Sequence, residues 1–230
     1  MINSTEPAVG TAPAEPSPAA AVEPPPRSAL DGSSVPARKR PKPGERRVQI
    51  LQTLAAMLEQ PGAERITTAA LAARLDVSEA ALYRHFASKA QMFEGLIEFI
   101  ESSVFTLVNQ ILERESDGVA QARRILAVLL QFGEKNPGMT RVMVGDALVF
   151  ENERLLSRMN QFFDRIETQL RQSLRLSAAE AGSNTPTVDS QVTAGVLTAF
   201  AVGRLHRYAR SGFRRGPTEH LDAALARLLA

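Results

Sequence analysis

Thr67-Thr68-Ala69-Ala70-Leu71-Ala72-Ala73-Arg74-Leu75-Asp76-Val77-Ser78-Glu79-Ala80-Ala81-Leu82-Tyr83-Arg84-His85-Phe86-Ala87-Ser88-Lys89 is the stretch that decides the fold. Thr67 and Ser78 are good helix N-caps, each followed by a short Ala/Leu-rich segment, and only the few residues around Asp76 separate the two helices they start. The pattern predicts a helix-turn-helix whose second helix, Glu79 to Phe86, lies in a DNA major groove with its N-terminal residues toward base edges. Leu71, Leu75, Val77, Leu82 and Phe86 hold the pair together, and Ala72 and Ala73 allow close approach. Asp76 stands where the turn needs a left-handed residue, a conformation Asp visits more readily than most.

Around this unit, Tyr83, His85 and Lys89 place a phenol, an imidazole and an ammonium along one edge, as phosphate contacts require. Thr67, Thr68 and Ser78 add hydroxyls to that set, while Glu79, Ala80, Ala81 and Arg84 lie nearest the bases. Ser88 caps a new helix and Gln91 completes a Ser-x-x-Gln capping box. A single short recognition helix makes few base contacts, so the expected ligand is double-stranded DNA with a pseudo-palindromic site read by a homodimer.

The 230 residues suffice for a substantial core. Zero cysteines exclude a disulfide scaffold and thiolate metal sites. No signal-peptide pattern and no membrane-spanning apolar run stand out, so a cytoplasmic, nucleoid-associated protein without a membrane partner is expected. The net charge of +2 is unevenly spread. Residues 1–37 carry −3, from Glu6, Glu15, Glu23 and Asp31 against Arg27, whereas residues 38–47 carry +5, from Arg38, Lys39, Arg40, Lys42, Arg46 and Arg47 against Glu45. A basic arm directly before a DNA-reading unit is an electrostatic footprint.

The domain reading follows from composition. Residues 1–37 form a Pro/Ala-rich tail too poor in large apolar side chains to order itself. Residues 38–43 are the basic arm, 44–89 the helix-turn-helix domain and 90–230 a helical dimerisation and partner-binding domain. In the head, a helix from about Gly44 to Glu59 turns Ile50, Leu51, Leu54, Ala55 and Leu58 inward and ends at Pro61-Gly62. Beyond it, helices are predicted over about Ser88–Glu115, Val119–Lys135, Pro137–Phe150, Asn152–Leu176, Gln191–Ser211 and Thr218–Ala230, with a loop from Ser177 to Ser190. Phe93, Ile97, Ile100, Val104, Val108 and Ile111 make one core stripe of the first of these, and Phe99 falls off it. Gly195, Ala199 and Gly203, at intervals of four, form a smooth ridge that suits a dimer face.

No catalytic, metal or cofactor site is legible. His85, His206 and His220 lack ligand spacing, and there is no phosphate loop or nucleophile elbow. An enzyme therefore has no residues to support it. The basic run Arg204, Arg207, Arg210, Arg214 and Arg215 reads as a solvated helix end, with a second nucleic-acid contact as the alternative.

The head resembles the TetR family, through a first helix, a helix-turn-helix ending in Leu82-Tyr83-Arg84-His85-Phe86 and Ser88-Lys89, and an all-helical remainder. The resemblance implies an all-α, TetR-like fold with a three-helix head and a helical dimerisation body. Arg65-Ile66-Thr67-Thr68-Ala69, Leu96-Ile97-Glu98-Phe99-Ile100-Glu101 and Phe132-Gly133-Glu134-Lys135-Asn136-Pro137-Gly138 are similar to one branch of that family. That likeness implies a DNA-bound antagonist of the division protein FtsZ that blocks division-ring assembly over the chromosome. The branch pattern has Gly and a basic residue where this chain has Gln131 and Leu107, which alters part of the partner surface. From Phe99's place off the stripe and the cation at a helix C-terminus, the partner-binding candidates are Phe99, Phe132, Lys135 and Asn136, with the C-terminal tail of FtsZ as the implied ligand. The competing function is a ligand-responsive repressor, for which an apolar cavity in the body would speak.

Overall fold

A computed structural model describes residues 44–60 and 65–229. The tail, the arm of residues 38–43 and the Pro61-Gly62 helix stop lie outside the described residues. The described residues form one unit built of α-helices, with a short 3-10 turn at Asp146–Leu148. The helices are α1 (Glu45–Leu58), α2 (Thr68–Leu75), α3 (Glu79–Tyr83), α4 (Lys89–Arg114), α5 (Gly118–Lys135), α6 (Pro137–Met143), α7 (Glu153–Glu180), α8 (Pro186–Arg210) and α9 (Leu221–Leu228).

The head is built as its caps predict. Thr67 Oγ1 accepts from the Ala70 N–H at 3.1 Å and Ser78 Oγ from the Ala81 N–H at 3.3 Å. Asp76 takes the left-handed conformation at φ 55°, and the N–H groups of Asp76 and Val77 close α2 onto Ala73 and Ala72 carbonyls. Leu71, Leu75, Leu82 and Phe86 are buried, with Val77 half-buried. Three details differ from expectation. The recognition helix stops at Tyr83 because the His85 and Phe86 N–H groups both turn back to the Leu82 carbonyl. Ala73 faces solvent, leaving Ala72 as the small contact residue. Gln91 does not return to the Ser88 N–H: its Oε1 accepts from the Ala87 N–H at 2.9 Å, while Ser88 Oγ accepts from the Gln91 N–H.

Helix α4 is the central rod. Phe93, Leu96, Ile97, Ile100, Val104 and Val108 are buried, with Ile111 half-buried at the stripe's end. Although no membrane-spanning run is expected from the sequence, α4 passes by length and composition, with mean hydropathy 1.2 over its best 18 residues. Its apolarity is explained by the core it lines, against α5, α7 and the head. The predicted faces of α5 (Ile125, Leu126, Leu129, Leu130) and α7 (Leu155, Met159, Phe162, Ile166, Leu170, Leu174) are likewise buried.

Element ends in the second half are corrected. Helix α6 stops at Met143, because Gly145 goes left-handed at φ 85° and redirects the chain into the 3-10 turn Asp146–Leu148. Helix α7 continues to Glu180, and α8 starts at Pro186, so the expected fourteen-residue loop shrinks to residues 181–185. Ser177-Ala178-Ala179-Glu180 has no breaker before Gly182, and Pro186 serves as a first-turn residue, where its missing N–H goes unneeded. The last helix begins at Leu221 rather than Thr218.

Candidate nucleic-acid interface and partner surface

The face offered by the head carries Thr67, Ser78, Glu79, Ala80, Tyr83, Arg84 and His85, all exposed, with Thr68, Ala81 and Lys89 half-buried. It is organised by contacts among these residues. Thr68 Oγ1 donates to Glu79 Oε2 at 2.6 Å, tying the first turn of α2 to the first turn of α3 and fixing the carboxylate sideways. Tyr83 is 45% exposed, an aromatic that stands outside the buried core. Arg46 and Arg47, counted with the basic arm in the sequence, belong to α1. Arg46 donates to Gln49 Oε1 at 2.8 Å. Arg47 donates to the His85 carbonyl at 3.2 Å, and its guanidinium stacks 4.1 Å from the centroid of the Phe86 ring. It thus braces the end of the recognition segment, a role that no local spacing in the sequence reveals.

Lys89 is placed differently from the other candidate phosphate contacts. Its ammonium turns back along α4 to pair with Glu151 and lies 5.7 Å from the Phe93 ring centroid. The exposed edge thus carries Tyr83 and His85, with the cation drawn to its inner side.

At the body, Phe99 stands 48% exposed, and its ring centroid lies 6.3 Å from that of Phe132 at a tilt of 43°. Phe132 itself is 9% exposed, so it is the floor beneath Phe99 and mainly a core residue. Lys135 is exposed at the C-terminus of α5. Asn136 does not cap α6 with its side chain: its Nδ2 donates instead to the Phe132 carbonyl at 2.8 Å, closing α5. Phe99, Phe132 and Asn136 are thereby linked by contact, with the exposed Lys135 as the chain neighbour of Asn136, forming a candidate aromatic shelf and cation. Leu107, 41% exposed, and Gln131, also exposed, contribute no charge on their helices.

Along α8, Val188, Val192 and Val196 are exposed together with Ala199 and Gly203. The ridge of small residues is therefore an open face, continuing into a groove of about 950 Å³ lined by Gly203, His206, Arg207, Arg210, Arg214 and Arg215 among others. Arg204 points away from that groove, donating to the carbonyls of Pro217 and Glu219.

Residues 50–96 match the bacterial regulatory proteins of the tetR family, and residues 116–229 match the SlmA-like Tetracyclin repressor-like C-terminal domain. The nucleoid occlusion factor SlmA of Photobacterium profundum is 56% identical over 182 residues, covering 79% of this chain and 92% of that one. The chain belongs to the SlmA family. SlmA of Vibrio vulnificus is 53% identical over 190 residues, covering 82% of this chain and 96% of its own. Among solved structures, the TetR family transcriptional regulator PfmR from Thermus thermophilus superposes with a TM-score of 0.64 at 21% identity, over 79% of this chain and 97% of that one. At that identity the likeness speaks for the fold alone, which is the all-α TetR fold expected from the caps and stripes. The family models match in the head and in the body, and the SlmA relatives are similar over about four fifths of the chain.

Proposed function

We propose that this chain is a nucleoid occlusion factor: a homodimer that reads a pseudo-palindromic DNA site and, when DNA-bound, antagonises FtsZ polymers and so blocks division-ring assembly over the chromosome. The observation that carries the reading is Phe99. A large aromatic left 48% exposed on the central helix of a well-filled body, over a buried partner ring and beside an exposed cation, is a binding shelf rather than a packing residue. A short acidic and apolar peptide suits it, the ring taking apolar side chains and Lys135, a cation favoured at the α5 C-terminus, taking an anion on its ammonium. The C-terminal tail of FtsZ is the peptide we assign to it. The names of the SlmA relatives support the same reading.

Among the described residues, the clefts along α7, α8 and the C-terminal segment are open grooves, and the stripe of α4 meets those of α5 and α7 with side chains essentially inaccessible, which favours the partner-binding reading over an inducer-held repressor. No catalytic role is assigned to any residue. DNA contacts fall to Thr67, Thr68, Ser78, Tyr83, His85 and Lys89 on phosphates and to Glu79, Ala80, Ala81 and Arg84 near bases. We place the protein in the cytoplasm, on the nucleoid.

The test is sedimentation of FtsZ polymers with the chain, with and without a DNA duplex recovered by selection on the purified protein. Loss of pelleted FtsZ only when duplex is present supports the reading. Phe99→Ala and Lys135→Glu should each abolish binding of an FtsZ tail peptide while leaving DNA binding and melting temperature unchanged. Normal tail binding by both variants moves the site elsewhere, and a wild-type chain indifferent to FtsZ returns the protein to the repressor class.

A further inference from the structure

Lys89 and Glu151 are 62 residues apart, and their ion pair joins the head to the segment that precedes α7. The Glu151 side chain is 10% exposed and that of Lys89 27%, so the pair is partly shielded rather than a loose surface contact. A second contact runs alongside it, with the Arg65 guanidinium 5.9 Å from the centroid of the Phe150 ring. Arg65 lies three residues before the start of α2 and Lys89 opens α4, so both cations flank the DNA-reading unit, and both are engaged by consecutive residues of one segment. That segment is otherwise loosely held: Val149 is 69% and Phe150 67% exposed.

We propose that Glu151 is an intramolecular phosphate mimic that competes with DNA for Lys89, so that DNA binding frees the 149–151 segment from the head. The inference rests on the reading of Lys89 as a phosphate ligand. A carboxylate and a phosphate oxygen are equivalent acceptors for an ammonium, which has no preferred bidentate geometry and exchanges one for the other readily. While Glu151 holds the ammonium against the Phe93 ring, the cation points into the body and is lost to the reading face. Engagement of DNA therefore requires the exchange. The released segment leads directly into α7, whose first turns are fastened to α4 by Arg154 on Glu94 at 2.5 Å and Arg158 on Glu101 at 2.6 Å. Helix α4 also carries Phe99, so the exchange at its first residue is physically continuous with the shelf.

The test is a double-mutant cycle of Glu151→Gln and Lys89→Ala in the full chain, titrated with a random-sequence DNA duplex across a salt series. Glu151→Gln should bind roughly two- to fivefold tighter at low salt, the range of a partly exposed ion pair, with the gain shrinking as salt screens that pair. In the Lys89→Ala background the same substitution should change nothing, because the competitor has lost its object. An equal gain in both backgrounds means general repulsion of DNA by Glu151 and overturns the proposal. So does a loss of affinity in Glu151→Gln, which would make the carboxylate a positioning group. The chain has no tryptophan, so Phe150→Trp provides a separate reporter of release. Its emission should shift when duplex is added and stay constant in the Lys89→Ala background, and an unchanged emission on duplex binding rejects the release. A wild-type chain that binds no duplex at all removes the reading of the head, and this inference with it.

Discussion

Gly138, in the first turn of α6, lies so close to α1 that a Cβ built on it would sit 2.1 Å from the carbonyl oxygen of Ala55. No side chain lies between the two helices at that point, and the obstacle is backbone that cannot rotate aside. Close by, a Cβ on Gly95 of α4 would meet the Leu51 methyls at 3.0 and 3.1 Å. Two glycines thus let the first head helix seat directly on the body.

Gly138→Ala should accordingly cost about 1–3 kcal/mol, the usual range for overpacking a filled contact. Denaturant unfolding measures it, and the melting temperature should fall with it. Because the displaced partner is α1, which carries Arg47 beneath His85, DNA affinity should fall by more than the fraction unfolded explains.

The opposite outcome is expected at Gly203. A Cβ there meets nothing within 4 Å in the single chain, and α8 is regular around it. Gly203→Ala should raise the stability of the isolated chain by about 0.5–1 kcal/mol through helix propensity. On a closely packed dimer face the same methyl intrudes, so sedimentation velocity should show weaker self-association. A variant that self-associates more tightly would take the ridge out of the interface.

Tyr83→Ala should leave unfolding free energy within about 0.5 kcal/mol of wild type, as expected for an exposed side chain away from caps and core. Its effect should appear in DNA binding, as a similar loss on every sequence tried, since a phosphate contact carries no base information. A loss confined to one sequence would instead make Tyr83 a base reader.

Tyr208 allows a prediction in pH. Its hydroxyl donates to the Glu134 carbonyl at 3.0 Å, and burial first, then the nearby Glu134 and Glu59 carboxylates, push the phenol above its ordinary value. A folded-state pKa above the unfolded one means the folded chain holds the proton more tightly. The stabilisation is therefore complete below the ordinary phenol value of about 10 and is lost as pH rises through the higher folded one. Tyr208→Phe should be less stable than wild type at neutral pH by about 0.5–1.5 kcal/mol, the net worth of one hydrogen bond. The gap should close above pH 10.

What could be read in the sequence was local and periodic. Thr67, Ser78 and Ser88 announced their helices by side-chain chemistry, Asp76 announced the turn, and the 3.6-residue stripes of α4, α5 and α7 fixed which faces meet. Boundaries failed where polar residues permit either state: Gly182, Asn184 and Pro186 suggested a long loop, although Pro186 is harmless in a first helical turn. The residues proposed to face DNA are contiguous in sequence, and their exposure on the head could be read from the caps and the turn. The grip of Glu151 on Lys89 was not, since a pair formed across 62 residues leaves no periodic trace. Arg47 is a related case: its charge was legible in the sequence, but its hydrogen bond to the His85 carbonyl, 38 residues away, was not.

The valines at 188, 192 and 196 have a consequence for how the protein responds to its own abundance. On the proposed dimer each chain contributes one head, and this apolar face would recruit the second. Below the dimer dissociation constant the concentration of paired heads grows as the square of total chain, so occupancy of a two-half-site operator rises more steeply than a simple binding curve. Halving the number of chains, as when a cell's contents are shared out, would then cut the bound population by more than half. The small residues of α8 would thereby set a threshold copy number, independently of any side chain that touches DNA.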